Sequence, residues 1–261
     1  MAPMSADGQQ QFRTETGIDI QTDIDRVILA LVSVGDQKVR MPDSALVLAR
    51  GRFDQVKIEA LMREHGAHAE DYRGVRVVDG EAPEGSGSVS VAFLEPGLLG
   101  VGSTALVRRA VELKSGGPAI STNDEMMGLI RDLGPGNAWA AGRFDVLASR
   151  ANIPPDLTGQ IPPVHMFSAS AQIDSGIRGM LRADSNDEAA ANSLRDVIRG
   201  FVALARMQTS SRPEVSSVLQ SVQLGGAGKT VSLSFDVPAS ALDALASLPA
   251  QLGASRPRRR P

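Results

Sequence analysis

Gly51-Arg52-Phe53-Asp54 recurs as Gly142-Arg143-Phe144-Asp145, and a third Phe-Asp pair follows at Phe235-Asp236. The three Phe-Asp pairs are spaced 91 residues apart in both cases. Each pair follows an apolar run that is typical of a strand and precedes a run that is typical of a helix. The equal spacing and the matching flanks predict an internal duplication, in which the spans 54–144 and 145–235 are two related halves.

The succession of predicted elements indicates an α+β protein with mainly antiparallel sheets and with helices packed on one face. Residues 26–34 are apolar on both faces, which predicts a central strand. Further strands are predicted at 45–53, 72–79, 88–95, 98–102, 137–144, 164–173, 176–184, 221–225 and 229–236. Helices are predicted at 9–16, 55–65, 104–114, 124–133, 146–151, 187–208 and 238–248, with a shorter one starting at Pro213.

The same pattern predicts how the chain is organised. Residues 1–8 are expected to be disordered, residues 9–144 form the first α+β half, and residues 145–250 form a second half that shares the core. Residues 251–261 form a tail with four arginines, expected to be disordered and to be at most a weak, salt-sensitive contact for nucleic acid or acidic lipid.

Each residue of the repeated tetrapeptide has a structural interpretation. The Phe side chains are expected to face the core, and Asp54, Asp145 and Asp236 to cap the helices that follow. Gly51 and Gly142 suit a close approach of two backbones or a bulge, and the Arg side chains face solvent. The functional alternative is a pair of Arg-Asp sites that bind an anion.

Composition excludes several kinds of function. The chain has no cysteine, which rules out disulfides, thiol catalysis and cysteine-ligated metals. Aromatic residues make up 3% of the sequence, which argues against aromatic stacking platforms for sugars or single-stranded nucleic acid. The net charge of −3 gives no overall bias toward nucleic acid or membranes. No stretch reaches the length of a membrane helix, so a soluble protein is expected.

One strand-turn-helix is the best candidate for an anion site. Residues 100–105 read Gly-Val-Gly-Ser-Thr-Ala, which matches a Gly-x-Gly-x-x-Ala fingerprint between a strand and a helix. A turn with a Ser or Thr helix cap explains the segment equally well. The candidate anion-site residues are Gly100, Gly102, Ser103, Thr104, Arg108 and Arg109.

Other motifs are better explained by structure. Residues 225–230, Gly-Gly-Ala-Gly-Lys-Thr, resemble the end of a phosphate-binding loop, but an alternating strand follows where that loop needs a helix, so a hairpin turn is expected. His65 and His68 are interpreted as a solvated helix end, His165 as a packed core histidine, and Asp19, Asp23 and Asp25 as turn and cap residues. No catalytic residue, metal site or cofactor is predicted.

Several stretches resemble bacterial α+β proteins without an assigned activity, many of them predicted to be exported. The resemblance rests on residues 16–19, 23–25, 51–54, 72–75 and 187–200 and extends over 16–248. It implies a signal segment upstream of this chain. The first ten residues contain no apolar signal core, so the expected location is cytoplasmic for the chain as written, and periplasmic or exported if a signal segment precedes it.

The leading functional hypothesis is a non-catalytic binding or structural protein of a bacterial cell, with the envelope as a candidate location. The scarcity of lysine supports a GC-rich bacterial origin, since Lys occurs only at 38, 57, 114 and 229 among 27 basic residues. The alternative is a phosphate- or nucleotide-type anion binder, or an enzyme, that uses the 100–105 turn. A protein partner or a homo-oligomer is compatible with either hypothesis, whereas nucleic acid is not an expected partner.

Overall fold

The chain folds into two compact units, Met1–Ala119 and Ile120–Pro261. The structure, a computed structural model, describes residues 6–32, 44–81, 88–148, 162–209 and 213–242. The boundary between the units lies at 119–120, whereas the sequence predicted one at 144–145. The predicted disordered segment at 1–8 is partly helical, since residues 6–8 begin the first helix, and its first five residues and the tail at 251–261 lie outside the described residues.

In its described residues, the first unit contains three helices and six strands. The helices are α1 (Ala6–Thr16), α2 (Gln55–Glu64) and α3 (Thr104–Lys114). The strands are β1 (Ile24–Leu31), β2 (Ala45–Gly51), β3 (His68–Tyr72), β4 (Val75–Glu81), β5 (Ser88–Glu95) and β6 (Leu98–Gly102). They form one antiparallel sheet in the order β1-β2-β6-β5-β4-β3.

Both faces of this sheet carry apolar clusters. Val77 and Ala92 pack with Val107 and Val111 of α3 on one face. The opposite face holds Ala49, Val91 and Leu99, with Phe53 and the α2 residue Met62 packed against them. Helices therefore lie on both faces, where the sequence predicted helices on one face, because neighbouring residues of β4 and β5 are apolar on both sides of the sheet.

The strand predicted to be central, β1, lies at the edge of the sheet. Among the described residues it pairs with β2 alone, and most of its side chains are exposed. The central-strand prediction is wrong because an apolar pattern on both faces does not reveal whether a strand has one neighbour or two. Strand β2 takes the inner position, where Gly102 of β6 lets the two backbones approach closely, since a Cβ on Gly102 would lie 2.5 Å from the Ala45 carbonyl oxygen.

The described part of the second unit contains five strands, four helices and, at residues 239–242, further helical residues where the sequence predicted a helix at 238–248. The helices are α4 (Asp124–Arg131), α5 (Phe144–Ala148), α6 (Glu188–Gln208) and α7 (Pro213–Ser221), and residues 120–122 form a single 3₁₀ turn. The strands are β7 (Ala138–Arg143), β8 (Val164–Ile173), β9 (Ile177–Ser185), β10 (Gln223–Gly225) and β11 (Thr230–Val237). They form a second antiparallel sheet in the order β10-β11-β9-β8-β7.

The long helix α6 has Asp187 as its N-cap residue. Asp187 accepts a hydrogen bond from the Ala190 N–H at 2.8 Å. The buried residues Ala191 and Leu194 of this helix then pack on Val231 of β11. The apolar spacing of the helix thus places its N-terminal half on the sheet.

The predicted α+β class with mainly antiparallel sheets is confirmed. The internal duplication stays a prediction. Strand β2, which ends in the first Gly-Arg-Phe-Asp, has a neighbour on both sides, whereas β7, which leads into the second, lies at the edge of its sheet. Among the described residues, no helix is long and apolar enough to cross a bilayer.

Candidate functional site

The first copy of the tetrapeptide has the predicted structural roles. Asp54 is the N-cap residue of α2 and accepts a hydrogen bond from the Lys57 N–H at 3.0 Å. Phe53 packs against the cluster around Ala49 and Leu99. The predicted core anchor and helix cap are therefore both present in this copy.

The second and third copies differ from that prediction. Asp145 lies inside the short helix α5 and pairs with the adjacent Arg143, with its Oδ2 2.5 Å from Nη2 of the arginine. Asp236 lies within strand β11, where its N–H donates to Ser221 Oγ, so it caps no described helix. The cap prediction is wrong for both residues, because the strand or helix boundary falls one or two residues away from the expected position.

The two arginines of the motif also have different partners. Arg52 donates to the carbonyl oxygen of Thr22 and lies 3.3 Å from Asp23 Oδ1, whereas Arg143 pairs with Asp145 of its own motif. Both side chains are mostly exposed, as predicted. Each guanidinium already has an acidic partner, so these pairs have the geometry of surface ion pairs.

Asp23 is held as a carboxylate by these contacts. The Asp19 N–H donates to its Oδ2 at 2.8 Å, and this hydrogen bond is the main cause that lowers the pKa of Asp23, with Arg52 as a lesser cause. A carboxyl group with a lowered pKa stabilises the fold above its unfolded-state pKa of about 3.9, and this contribution is lost as the pH falls through the folded-state pKa.

We therefore expect Asp23→Asn to lower the free energy of unfolding at pH 7, and the difference from wild type to narrow below about pH 4. Urea unfolding at pH 7 and at acidic pH measures both effects. Arg52→Gln removes only the lesser cause of the lowered pKa of Asp23, so it should lower the free energy of unfolding at pH 7 by a smaller amount than Asp23→Asn. A constant difference across pH would contradict the assignment.

The predicted anion-site residues lie where expected, at the end of β6 and the start of α3. Their glycines serve sheet packing, since a Cβ on Gly100 would lie 3.3 Å from the Leu94 side chain and one on Gly102 would meet the backbone of Ala45. Ser103 is the N-cap residue of α3, and its carbonyl accepts from the Leu106 and Val107 N–H groups, but its side chain makes no capping hydrogen bond.

A carboxylate of the protein itself lies at this helix start. Thr104, the first residue of α3, bonds Ser90 Oγ at 2.7 Å and Asp79 Oδ1 at 3.3 Å. Ser90, which is fully buried, also donates to Asp79. Asp79 thus supplies negative charge beside the positive end of the helix, where an external anion would otherwise be favoured.

The two arginines of this candidate site are separated. Arg108 donates to Glu70 Oε1 at 2.6 Å and lies over the Tyr72 ring, 5.2 Å from its centroid. The hydrogen bond to Glu70 is the main cause that raises the pKa of Arg108. Arg109 is exposed on α3. The anion site at this turn stays a prediction.

A groove of about 570 Å³ in the second unit is a further candidate site. Helix α4 and its C-cap residue Asp132 form one wall through Glu125, Gly128, Leu129 and Asp132, whose spacing places them on one face. The ends of strands β8, β9 and β11 form the other. The remaining lining residues are Asp124, His165, Met166, Asp184, Ser185, Asn186 and Lys229.

The groove is rich in carboxylates. Asp124, Glu125, Asp132 and Asp184 line it together with Lys229. Asp184 accepts a hydrogen bond from the Thr230 hydroxyl at 2.6 Å, which fixes one edge. Ser185 is 2% exposed, and its Oγ has no hydrogen-bond partner among the described residues. These groups suit a ligand that donates hydrogen bonds and carries positive charge.

His165 belongs to this groove and not to the core. Its side chain is 54% exposed and its Nε2 lies 3.3 Å from Glu125 Oε1. The core prediction is wrong because the buried face of β8 is the one that carries Met166, Ser168 and Ser170, whereas the face that His165 shares with Phe167 is the less buried one. No signal in the sequence identified the groove, since α4 meets β8 and β9 only through the tertiary fold.

The remaining motifs follow their structural interpretations except at His68, which was predicted to be part of a helix end and lies in a strand. Residues 225–230 join β10 to β11 as a hairpin turn, with positive φ at Gly226 and Gly228. His65 is the C-cap residue of α2, whereas His68 begins β3. No cluster of three or more metal-ligating side chains occurs in the part of the chain that the structure describes.

A second depression, of about 460 Å³, lies in the first unit against α2. Its buried carboxylate, Glu59, pairs with Arg63 at 2.9 Å and with Arg76 at 2.8 Å. The charge of Glu59 is thereby compensated within the protein, and the arrangement is that of a structural ion-pair cluster.

No protein-family model matches the chain, and no curated protein matches its sequence. A solved structure of a bacterial protein, described as crystal form I of TP0453, is similar with a TM-score of 0.42 and 9% sequence identity. The match covers 78% of this chain and 74% of that chain.

Proposed function

We propose that this chain is a non-catalytic binding protein of a bacterial cell, and that its second unit binds a small organic cation in the groove beside α4. The observation that carries the proposal is the set of four carboxylates around one groove that contains a single lysine. An ammonium group of a ligand would form charge-assisted hydrogen bonds with these carboxylates. The resemblance to exported bacterial proteins favours the envelope as its location.

The lining of the groove favours primary or secondary amines over quaternary ammonium groups. Quaternary ammonium ligands are usually recognised by the faces of Trp, Tyr or Phe, and none of the described residues that line this groove is of these types. Its volume lies within the range of about 300–1,000 Å³ that is common for small-molecule sites. Polyamines such as spermidine combine several amines with a narrow chain and are therefore the ligands to test.

Gly128 contributes to the space in the groove. It lies in the middle of α4, where glycine costs about 1 kcal/mol relative to alanine. A Cβ added there would meet no atom within 4 Å, so packing does not require a glycine. A larger side chain at this position would project into the groove without changing its charge.

We expect spermidine to bind saturably in isothermal titration calorimetry at low salt, and to bind at least several-fold more weakly at high salt. Glu125→Gln removes one carboxylate and Gly128→Leu fills the space, so each should raise the Kd at least about fivefold. Asp196→Asn, on the exposed surface of α6, is the matched control and should leave the Kd unchanged. Absence of saturable binding, or wild-type affinity in both groove variants, would refute the proposal.

The alternative, an anion binder at the 100–105 turn, has less support. The carboxylate of Asp79 lies beside the first residue of α3, and Arg108 is engaged with Glu70. The carboxylate of Asp79 would repel a phosphate at the start of α3, and the charge of Arg108 is already compensated by Glu70.

A further inference from the structure

Strand β1 presents a run of exposed aliphatic side chains along the edge of the first sheet. Val27, Ile28, Leu29, Leu31 and Val32 are between 37% and 55% exposed. Single exposed aliphatic residues are ordinary, but a contiguous run on an edge strand is typical of an interaction surface. We name this run, residues 27–32, the β1 edge.

The backbone groups of the β1 edge alternate in direction. The Val32 N–H donates to the Ser44 carbonyl oxygen, toward β2, and the Cα partners continue in register from Leu31 with Ala45 back to Arg26 with Arg50. Backbone groups of successive residues point to opposite sides of a strand. Those of Val27, Leu29 and Leu31 therefore point away from β2, toward a position that no described strand occupies.

We infer that the β1 edge pairs antiparallel with the β1 edge of a second copy of this chain. One register uses all the backbone N–H and C=O groups of Val27, Leu29 and Leu31 that point away from β2. In this register the two-fold axis passes through Leu29, so Leu29 faces Leu29 of the second copy and Val27 faces Leu31 of the second copy. This pairing forms about six hydrogen bonds. It joins the two six-stranded sheets into one continuous sheet, and both copies contribute the same surface, as a two-fold interface requires.

The charge pattern of the strand fits a second copy. Asp25 and Arg26 are the charged residues within 24–32, and both lie at the start of the strand. In the antiparallel pair they fall at opposite ends, so like charges do not face each other in the centre. The facing positions 27, 29 and 31 are all aliphatic, and cross-strand pairs of such side chains are favourable.

The size of the β1 edge sets the expected strength of the dimer. Its five side chains expose roughly a few hundred Å² per copy, less than the roughly 800 Å² per partner of a standard stable interface. The dimer is therefore weak, with a dissociation constant in the micromolar range or above, and its population depends on protein concentration. The dimer depends on the first unit, whereas the proposed amine-binding groove beside α4 lies in the second unit, so either proposal can fail without the other.

Sedimentation equilibrium between about 1 and 200 μM tests this dimer, with the range chosen to bracket a micromolar constant. We expect a monomer–dimer equilibrium in the wild type. Leu29→Lys places two ammonium groups against each other on the two-fold axis and should weaken association at least tenfold. Val56→Lys, at a more exposed aliphatic position on α2, is the matched control and should associate like the wild type.

A mixing experiment makes the test specific for the register. Leu29→Glu alone should weaken association as Leu29→Lys does, and an equimolar mixture of the two variants should restore it, because opposite charges then meet at the axis. Far-ultraviolet circular dichroism confirms that each variant is folded. A monomeric wild type across the whole range, dimerisation insensitive to Leu29→Lys, or a mixture that does not associate would each overturn the inference.

Discussion

Gly51→Ala is expected to lower the free energy of unfolding by about 3 kcal/mol, because the added methyl group has no space. A Cβ at this position would lie 2.1 Å from the carbonyl oxygen of Asp23 and 3.0 Å from the Cα of Ile24. Both neighbours are backbone atoms, so no side chain can rotate away. The residues at the start of β1 would therefore have to move, although the hydrogen bond from the Arg52 N–H to the Asp23 carbonyl oxygen holds them in place.

The repeat itself supplies the control. Gly142 occupies the same position in the second tetrapeptide, but a Cβ there would lie 3.4 Å from the Phe167 ring, which is an ordinary contact. Gly142→Ala should therefore change the free energy of unfolding by no more than about 0.5 kcal/mol. Urea denaturation followed by far-ultraviolet circular dichroism compares the two variants. Equal effects would show that the close approach at Gly51 is not the reason for glycine.

The contrast between these two glycines shows what the tetrapeptide determines. The same four residues produce a helix cap and a close backbone approach at 51–54, but a helix start and a local ion pair at 142–145. Spacing along the chain predicted a strand followed by a helix at both places, and this is confirmed. The role of each side chain depended on neighbours such as Asp23 that are distant in sequence, and a local pattern carries no information about them.

Elements with strong local signals were predicted well. The range of α3 and the range of β8 match the structure, because apolar periodicity and cap residues mark their ends. Strand β3 at 68–72 was missed, since its sequence His-Ala-Glu-Asp-Tyr has almost no apolar alternation and β4 supplies its pairing. The edge position of β1 was missed for a related reason, because the number of neighbours of a strand is set by the whole sheet.

The groove beside α4 could not be predicted because its residues come from separate segments of the chain. The four residues on the inner face of α4 lie close together in sequence, but nothing local indicates that Asp184 and Lys229 lie opposite them. The reverse holds for the 100–105 turn, where the local pattern suggested an anion site. The distant Asp79 supplies a carboxylate at that helix start. The charge at the groove and at the 100–105 turn therefore depends on side chains that are distant in sequence.

Asp79→Ala is expected to lower the free energy of unfolding by about 2 kcal/mol, since Ser90 and Thr104 would lose a shared acceptor at the start of α3. Ser90 is fully buried, so water cannot readily replace the carboxylate. Asp79→Asn keeps an acceptor oxygen and should cost about half as much or less. Ser88→Ala is the control, because the Ser88 hydroxyl is more exposed and lies 3.4 Å from Thr104 Oγ1.

Urea unfolding of the three variants separates a structural role of Asp79 from an incidental one. The expected order of stability is wild type, Ser88→Ala, Asp79→Asn and Asp79→Ala. If Asp79→Ala were as stable as the wild type, the network would not stabilise the start of α3. The favourable hydrogen bonds of the Asp79 carboxylate would then be offset by unfavourable interactions of its charge. Its removal would leave the N-terminus of α3 accessible to an external anion. A rise in melting temperature with sulfate in Asp79→Ala alone would detect that outcome.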